Sequence, residues 1–391
     1  MNLKIRLSDK MSDTKSALGS IEDRLIRLPA KIREENGLLI GSFLSCVTKD
    51  GDAINLKVFP AYASEVDEDP EAAWVSKSTH SLLNTKSIKQ ISSADKILIG
   101  CDPEFFIVNA KTLKTISASN FFAHYGDIGS DCGLAELRPR PAFKEEDLTF
   151  IMRELFLKAL SHINDRKLFT HSDIDMIASS YHNSNAAGFH IHFGLPNFML
   201  RTNNSTYTLL SYIVCILDYY LGIPAIWPEG NEDNTRRSVK YSRYGKPGDY
   251  RYDSMTLEYR VPGGHLLRHP ILSNGIIAIA KTVMNDILTR LKTYSNNFSI
   301  PIRLNNYDAL HKFYPRLPSR KEVFSAITSE NIALAASYTD KIFEDISLMT
   351  NYNESKPSIL KYFNYVVQYF QGKTKYNKSI SINWRLRDNE R

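Results

Sequence analysis

The sequence predicts an α+β fold in which short strands and amphipathic helices are interleaved without a regular βαβ alternation. Three observations predict it. Between Lys96 and Ser299, strand-like segments ("KILIGCDPEFFIVNA", "GLAELRPRPAF", "GFHIHFGLP", "MTLEYRVPGG") are separated by longer helix-like ones. The helix-like segments space their apolar residues three and four apart, and the strand-like ones alternate apolar with polar. The last ninety residues carry helix signals only. The expected organisation is a small N-terminal α/β unit over 1–93, a sheet-and-helix domain over 94–299, and a helical C-terminal region over 300–391 packed on that domain.

Each element has its own warrant. "GLLIGSFLSCV" from Gly37 and "AINLKVFPAYA" from Ala53 are β-rich runs joined across "TKDGD", whose Asp-Gly step suits a hairpin turn. "SEVDEDPEAA" from Ser64 reads as an acidic loop, and "NTKSIKQISSADK" from Asn84 as a linker. Leu148, Ile151, Met152, Leu155 and Phe156 form one stripe of a helix. The apolar run from Tyr207 is interrupted by Asp218 and Pro224, which favours a buried helix over a membrane span. Pro270 suits a first helical turn, opening a helix that runs to about Leu291. "SRKE" from Ser319 is a capping box, and further helices are expected around Ile342–Met349 and Ile359–Phe370.

Composition bounds the function. The chain has 391 residues, 43% of them hydrophobic, enough for real cores. A formal charge of +6 suits nucleic acid, ATP or small acids alike. Basic residues crowd the C-terminus (Lys356, Lys373, Lys375, Lys378, Arg385, Arg387, Arg391), which reads first as a solvated tail and second as a nucleic-acid contact. Four scattered cysteines form no CxxC pair and suit a reducing compartment. The polar opening "MNLKIRLSDKMSDTK" does not read as a signal peptide. No P-loop, GxGxxG, HExxH or GxSxG motif is present, which weakens dinucleotide enzymes, zincins and the usual serine hydrolases.

Four predicted strands carry a polar pair two residues apart: Asp102 with Glu104, Glu136 with Arg138, His190 with His192, and Glu258 with Arg260. Such residues share a strand face, about 6.6–6.8 Å apart. The opposite faces are apolar, through Phe189, Ile191, Phe193, Leu257, Tyr259, Ala135 and Leu137. An ordinary solvated sheet face would mix Thr, Ser, Lys and Glu instead. Asp102, Glu104, Glu136 and Glu258 in one cleft would repel one another unless Mg²⁺ or Mn²⁺ neutralised them. Oxygen donors with an imidazole suit those cations better than a thiophilic metal. Arginines beside them would pair with phosphate or carboxylate. The basic stretch "VKYSRYGKPGDYR", with Lys240, Arg243, Lys246 and Arg251, could then fold over a nucleotide.

The pieces "GCDPEFFIV", "GSDCGLAELRPRP", "AGFHIHFGLP" and "LEYRVPGG", in that order, resemble the phage-type COOH-NH2 ligases, amidoligases of the wider glutamine synthetase and glutamate–cysteine ligase fold group. The resemblance covers about residues 98–265. It implies a mainly antiparallel sheet of the glutamine synthetase catalytic-domain type, curved into a funnel and backed by helices, with ATP entering one end and acceptor substrates the other. It also implies that Glu104, Glu136, His192 and Glu258 are metal and nucleotide-phosphate ligands, assisted by Asp102. Arg260 and the basic loop (Arg243, Lys246, Arg251) become the phosphate or carboxylate clamp, with Arg138 beside Glu136 in the chemistry and His190 as a helper or nucleotide contact. "DCG" at Asp131–Gly133 departs from a simpler Asp-Gly turn.

The expected reaction has two steps: a substrate carboxylate attacks the γ-phosphate of ATP, then an amine displaces phosphate to form an amide. No enzyme nucleophile is needed. The alternatives are a nucleotide-dependent phosphotransferase of the related fold and a noncatalytic virion or DNA-associated protein. The acceptor could be a small molecule, a peptide or a modified base. The expected setting is the cytoplasm of an infected bacterium or the virion, with no membrane and with oligomerisation open.

Overall fold

The computed structural model describes residues 4–8, 25–35, 43–47, 53–83, 97–165, 173–195, 204–238, 244–253, 256–298, 313–374 and 377–386. They fall into two compact units, Met1–Lys96 with Leu195–Arg201 and Ile97–Gly194 with Thr202–Arg391.

In the first unit, β1 (Lys4–Leu7), β2 (Leu25–Leu28), β3 (Phe43–Val47), β4 (Ala53–Pro60) and β5 (Ala72–Val75) form one sheet in the order β1-β5-β2-β4-β3. β3 and β4 pair antiparallel from Val47–Ala53 to Phe43–Lys57, as the hairpin reading expects; its Asp-Gly turn lies outside the described residues. Period-two alternation puts Leu44, Cys46, Leu56, Val58, Ile26 and Leu28 into one core with Ile32 of α1 (Ala30–Glu35). The acidic segment after Ser64 is not a loop. It forms α2 (Ala63–Glu68), because the Glu65 carboxylate accepts the Tyr62 N–H at 2.8 Å and caps the first turn, with Ser8 bonded to the same buried carboxylate. Ser76 caps α3 (Lys77–Leu82). The segment read as a linker lies outside the described residues.

The second unit is organised on one long strand. β6 (Ile99–Asn109) pairs β13 (Phe189–Gly194) through its first half and β9 (Leu134–Leu137) at Glu104 and Phe105. Pro103, which offers no ladder donor, is the last residue of β6 in register with β13. Beyond that point β6 pairs β7 (Thr115–Ile116) and β10 (Ile174–Ile177). β8 (Ile128–Asp131), β14 (Tyr250–Asp253) and β15 (Thr256–Tyr259) complete an antiparallel eight-stranded sheet whose path runs β14-β15-β13-β6-β9-β8. β11 (Tyr181–His182) and β12 (Asn185–Ala186) form a separate hairpin.

The α+β class and the helical backing stand, but the sheet curved into a funnel does not. The sheet path ends at β14 and β8, which pair with nothing further among the described residues, so the sheet is open rather than curled or closed. Closure needs edge strands that meet under tilt and stagger, and here both edges are four-residue strands on opposite sides of the sheet.

Helices cover the apolar face. α4 (Glu145–Asp165) lays Phe156 edge-on to Phe105 of β6 at 5.4 Å and to Trp384 at 5.0 Å. Of its predicted stripe, Leu148, Met152, Leu155 and Phe156 are buried and Ile151 is half-buried. α5 (Asn204–Leu217) continues through a π-helical turn, Asp218–Gly222, into α6 (Ile223–Ile226). α7 (Pro270–Phe298) starts at the expected proline and is tied to α4 by a buried Lys281–Glu145 pair at 2.9 Å. Leu209–Ile226 and Pro270–Leu291 are long and apolar enough to cross a membrane, yet 83% of each stretch is buried inside the protein.

The C-terminal helices are α8 (Arg320–Thr328), α9 (Ile332–Ala336), α10 (Thr339–Ser347), α11 (Tyr352–Phe370) and α12 (Ile380–Asn383). Ser319 and Glu322 form the expected capping box of α8. This region is bonded into the unit that holds the sheet: Trp227 Nε1 donates to Ala335 O at 2.9 Å, Tyr362 Oη to Pro224 O at 2.7 Å and Trp384 Nε1 to Leu267 O at 2.7 Å.

Candidate active site

Cross-strand register assembles the polar pairs. Asp102 lies opposite His190, Glu104 opposite Glu136, His192 opposite Glu258, and Glu258 opposite Arg251. Directly opposed residues share a face, so four adjacent strands carry one continuous row of acids and imidazoles, with the aromatic residues turned to the helices behind.

At one end, His190 Nδ1 is 3.2 Å from Asp102 Oδ1 and 3.4 Å from Glu258 Oε1, and His192 Nε2 is 3.2 Å from Asp102 Oδ2. Burial pushes the Asp102 carboxyl up, but the two imidazoles outweigh it and hold it well below the usual range. At the other end, Glu104 accepts the Gly188 N–H at 2.6 Å and Glu136 takes a two-pronged contact from Arg138, at 2.9 and 3.0 Å. Burial, only partly offset by these partners, pushes both glutamates up.

Two trios of side chains bring ligand atoms within 4.8 Å of one another: Asp102, His190 and Glu258, and Glu104, Asp131 and Glu136. Their donors are carboxylate oxygens with one imidazole, the set that suits Mg²⁺ or Mn²⁺. Asp102 Oδ1 is buried and makes no well-aligned hydrogen bond despite the nearby His190, as an oxygen reserved for a cation would. His192 lies on the same face, between Asp102 and Glu258, but outside both trios.

The two arginines of the row are used differently. Arg138 spends its fork on Glu136 and its Nη1 on the carbonyls of His124 and Gly126, covering Gly129, where any Cβ would collide with the guanidinium. Arg260 pairs only its Nε, with Glu258 at 3.0 Å; among the described residues its terminal nitrogens make no hydrogen bond, and the Tyr244 ring lies 5.7 Å away. Arg243 falls outside the described residues. Lys246 and Arg251 form no ion pair among the described residues; Arg251 is exposed on edge strand β14, so part of the stretch read as a loop is sheet. Of the basic C-terminal residues, Lys378 pairs with Glu232 at 2.7 Å, while Lys375, Arg387 and Arg391 lie outside the described residues.

Several residues of this region were not singled out from sequence. Asp131 ends β8, two residues from the Gly129 that faces Glu136, so strand alternation alone could have placed it in the row. The hairpin behind it turns through Cys132 and Gly133, at φ 48° and 89°, the two positive-φ positions of a tight two-residue connection. Arg236 is buried beneath Arg260, donating to Arg260 O at 2.9 Å and Val261 O at 2.7 Å; a lone "RR" in a polar stretch gives no such signal. Ser180 Oγ is 2.6 Å from His265 Nδ1, but both are buried, burial pushes His265 down to about 3, and its Nε2 is satisfied by Ala225 O. That pair is a contact within the packed interior.

The chain from residue 99 to 362 matches the family described as phage phiEco32-like COOH.NH2 ligase-type 2, and since this is well over half its length, the protein belongs to that family. No curated protein matches it. Among solved structures it is similar to a bifunctional glutathione synthetase from Pasteurella multocida (13% identity, TM-score 0.32, 71% of this chain and 52% of that one). It is also similar to the ligase PafA in complex with the prokaryotic ubiquitin-like protein Pup (11%, 0.42, 76% and 68%), and to GmaS in complex with ADP (11%, 0.40, 92% and 99%). The chain thus spans about half the length of the glutathione synthetase.

Proposed function

We propose that the protein is an ATP- and Mg²⁺- or Mn²⁺-dependent carboxylate–amine ligase that makes an amide through an acyl phosphate. The observation that carries this reading is the single row of Asp102, Glu104, Glu136 and Glu258 interleaved with His190 and His192 across four neighbouring strands. A face so rich in converging carboxylates is costly unless cations complete it. A divalent cation held by Asp102, His190 and Glu258, and another by Glu104, Asp131 and Glu136, would screen a triphosphate. Arg260, with its terminal nitrogens uncommitted, would pair with the transferring phosphoryl group or a substrate carboxylate. Arg138 acts by fixing the Glu136 carboxylate rather than by meeting substrate. Membership in a phage ligase family supports an infected bacterium as the setting.

The test is incubation of the protein with ATP, Mg²⁺ and a mixture of carboxylic acids and amines. The expected outcome is phosphate release that requires the metal, with a product lighter than its parents by one water. Failure to bind ATP in the presence of Mg²⁺ or Mn²⁺ would defeat the reading, and a phosphorylated product without an amide would mark a phosphotransferase instead. Glu136→Gln keeps an acceptor for Arg138 but loses the ligating charge; turnover should fall about 100-fold or more while the melting temperature holds.

A further inference from the structure

The strand that carries Glu258 and leads into Arg260 is gripped from behind by one buried carboxylate. Asp218 opens the π-helical turn Asp218–Gly222, which interrupts a helical run from Asn204 to Ile226. Such turns recur where a side chain must be set at a register an α-helix cannot supply. Asp218 Oδ1 accepts two hydrogen bonds, from Tyr259 Oη at 2.9 Å and from the Gly248 N–H at 3.2 Å. At the other end of the turn, a Cβ on Gly222 would stand 2.6 Å from Tyr259 Oη. Both ends of the π-turn are therefore shaped around the same hydroxyl.

Tyr259 lies between Glu258 and Arg260 and points to the opposite face, so fixing its hydroxyl fixes the strand beneath both site residues. Gly248 belongs to the connection Tyr244–Asp249 and has φ +83°, a conformation that favours glycine. The same connection meets Arg260 twice: Asp249 O accepts the Arg260 N–H at 3.0 Å, and the Tyr244 ring lies near its guanidinium. Asp218 is buried, and the two donors that meet it, a backbone N–H and a hydroxyl, are neutral, a costly arrangement to retain for packing alone.

Resting on the ligase reading above, we propose that Asp218 is a positioning residue: it clamps the Tyr244–Asp249 connection and β15 together, so that Arg260 faces the acid row with its terminal nitrogens free for a phosphate or carboxylate. Its role is exerted through Gly248 and Tyr259, not by contact with substrate.

The test uses the full chain and the variants Asp218→Ala, Asp218→Asn and Tyr259→Phe. Hydrogen–deuterium exchange is followed over 244–249, and kcat and KM for ATP are measured separately. Asp218→Ala should speed exchange over 244–249 by about tenfold, the loss of one buried hydrogen bond, with exchange in β6 and β9 unchanged. It should raise the KM for ATP about tenfold with a smaller change in kcat. Asp218→Asn keeps Oδ1 as an acceptor and should rescue both readouts. Tyr259→Phe, which deletes one hydroxyl, should raise the KM in the same direction and serves if the alanine variant does not fold. Unchanged exchange in Asp218→Ala and Tyr259→Phe overturns the clamp. Faster exchange with a wild-type KM overturns the positioning role, as does an asparagine variant as impaired as the alanine one. If the wild-type protein turns over no ATP at all, the ligase reading fails, and the exchange data alone decide the clamp.

Discussion

Asp218 and Asp233 are both buried carboxylates that join the helical layer to the sheet, one behind β15 and the other behind the Ser179–Ser180 turn that follows β10. Asp233 accepts from Ser179 Oγ, the Ser180 N–H, the Gly230 N–H and Arg268 Nη2, all within 2.8 Å. Burial pushes its carboxyl up, yet the Arg268 charge and these donors outweigh it and hold it at about 2. Asp218 has a glycine N–H and a tyrosine hydroxyl, and burial pushes it up to about 7. The same side chain at similar burial is therefore a fixed anion in one region and a titrating one in the other. The deciding variable is a paired cation.

Asp233→Ala should cost the most stability of the changes in these two regions. It leaves Arg268 buried without its carboxylate, and urea denaturation should show a loss of about 3–5 kcal/mol. A wild-type midpoint would mean that Arg268 finds water or another partner.

Asp218→Asn sharpens the contrast through pH. The folded-state value is raised above the ordinary carboxylate value, so the folded protein holds this proton more tightly than the unfolded chain. The stabilisation is complete below the unfolded value, near 3.9, and is lost as pH rises to about 7. The groups that face it are Arg320, which opposes the shift, Asp249, which adds to it, and Tyr259 and Gly248 as donors. Asparagine does not titrate, so the stability of the variant relative to wild type should improve by on the order of 2 kcal/mol between pH 5 and pH 8. Denaturation at the two pH values checks it, and no change would show that Asp218 stays charged throughout. Asp233 shows the opposite sign, contributing above the unfolded value and losing its contribution only as pH falls toward 2.

The smallest effect dissects the Asp233 region itself. Ser180→Ala removes the hydroxyl shared with His265 but keeps the Ser180 N–H on Asp233, and should cost about 1 kcal/mol in the same denaturation measurement. A loss as large as that of Asp233→Ala would mean that the serine, not the ion pair, carries the region.

Much of the site was legible because strand alternation is local. Phe105, Ile191 and Tyr259 against Asp102, His192 and Glu258 can be assigned to two faces from the period of two alone. The helix starts at Pro270 and Ser319 were equally readable, since a proline or a capping box acts within one turn. The acidic segment after Ser64 misled because Glu65 is buried as a cap by a partner, Ser8, that is distant in sequence. Arg138 and Arg260 look alike as the last residue of an acid–x–arginine pair, yet one is consumed by Glu136 and the carbonyls of His124 and Gly126 while the other is not.

What the chain determined by itself is the set of elements and the face on which each acid, imidazole and guanidinium lies, because backbone geometry fixes both over a few residues. Only the tertiary structure decided the strand order that makes four faces one row, the gathering of its polar side chains into two trios with Asp131 in one of them, and the open edges of the sheet. It also decided which buried aspartate meets an arginine. Those outcomes depend on register and on contacts between residues far apart in sequence, where alternation and spacing carry no information.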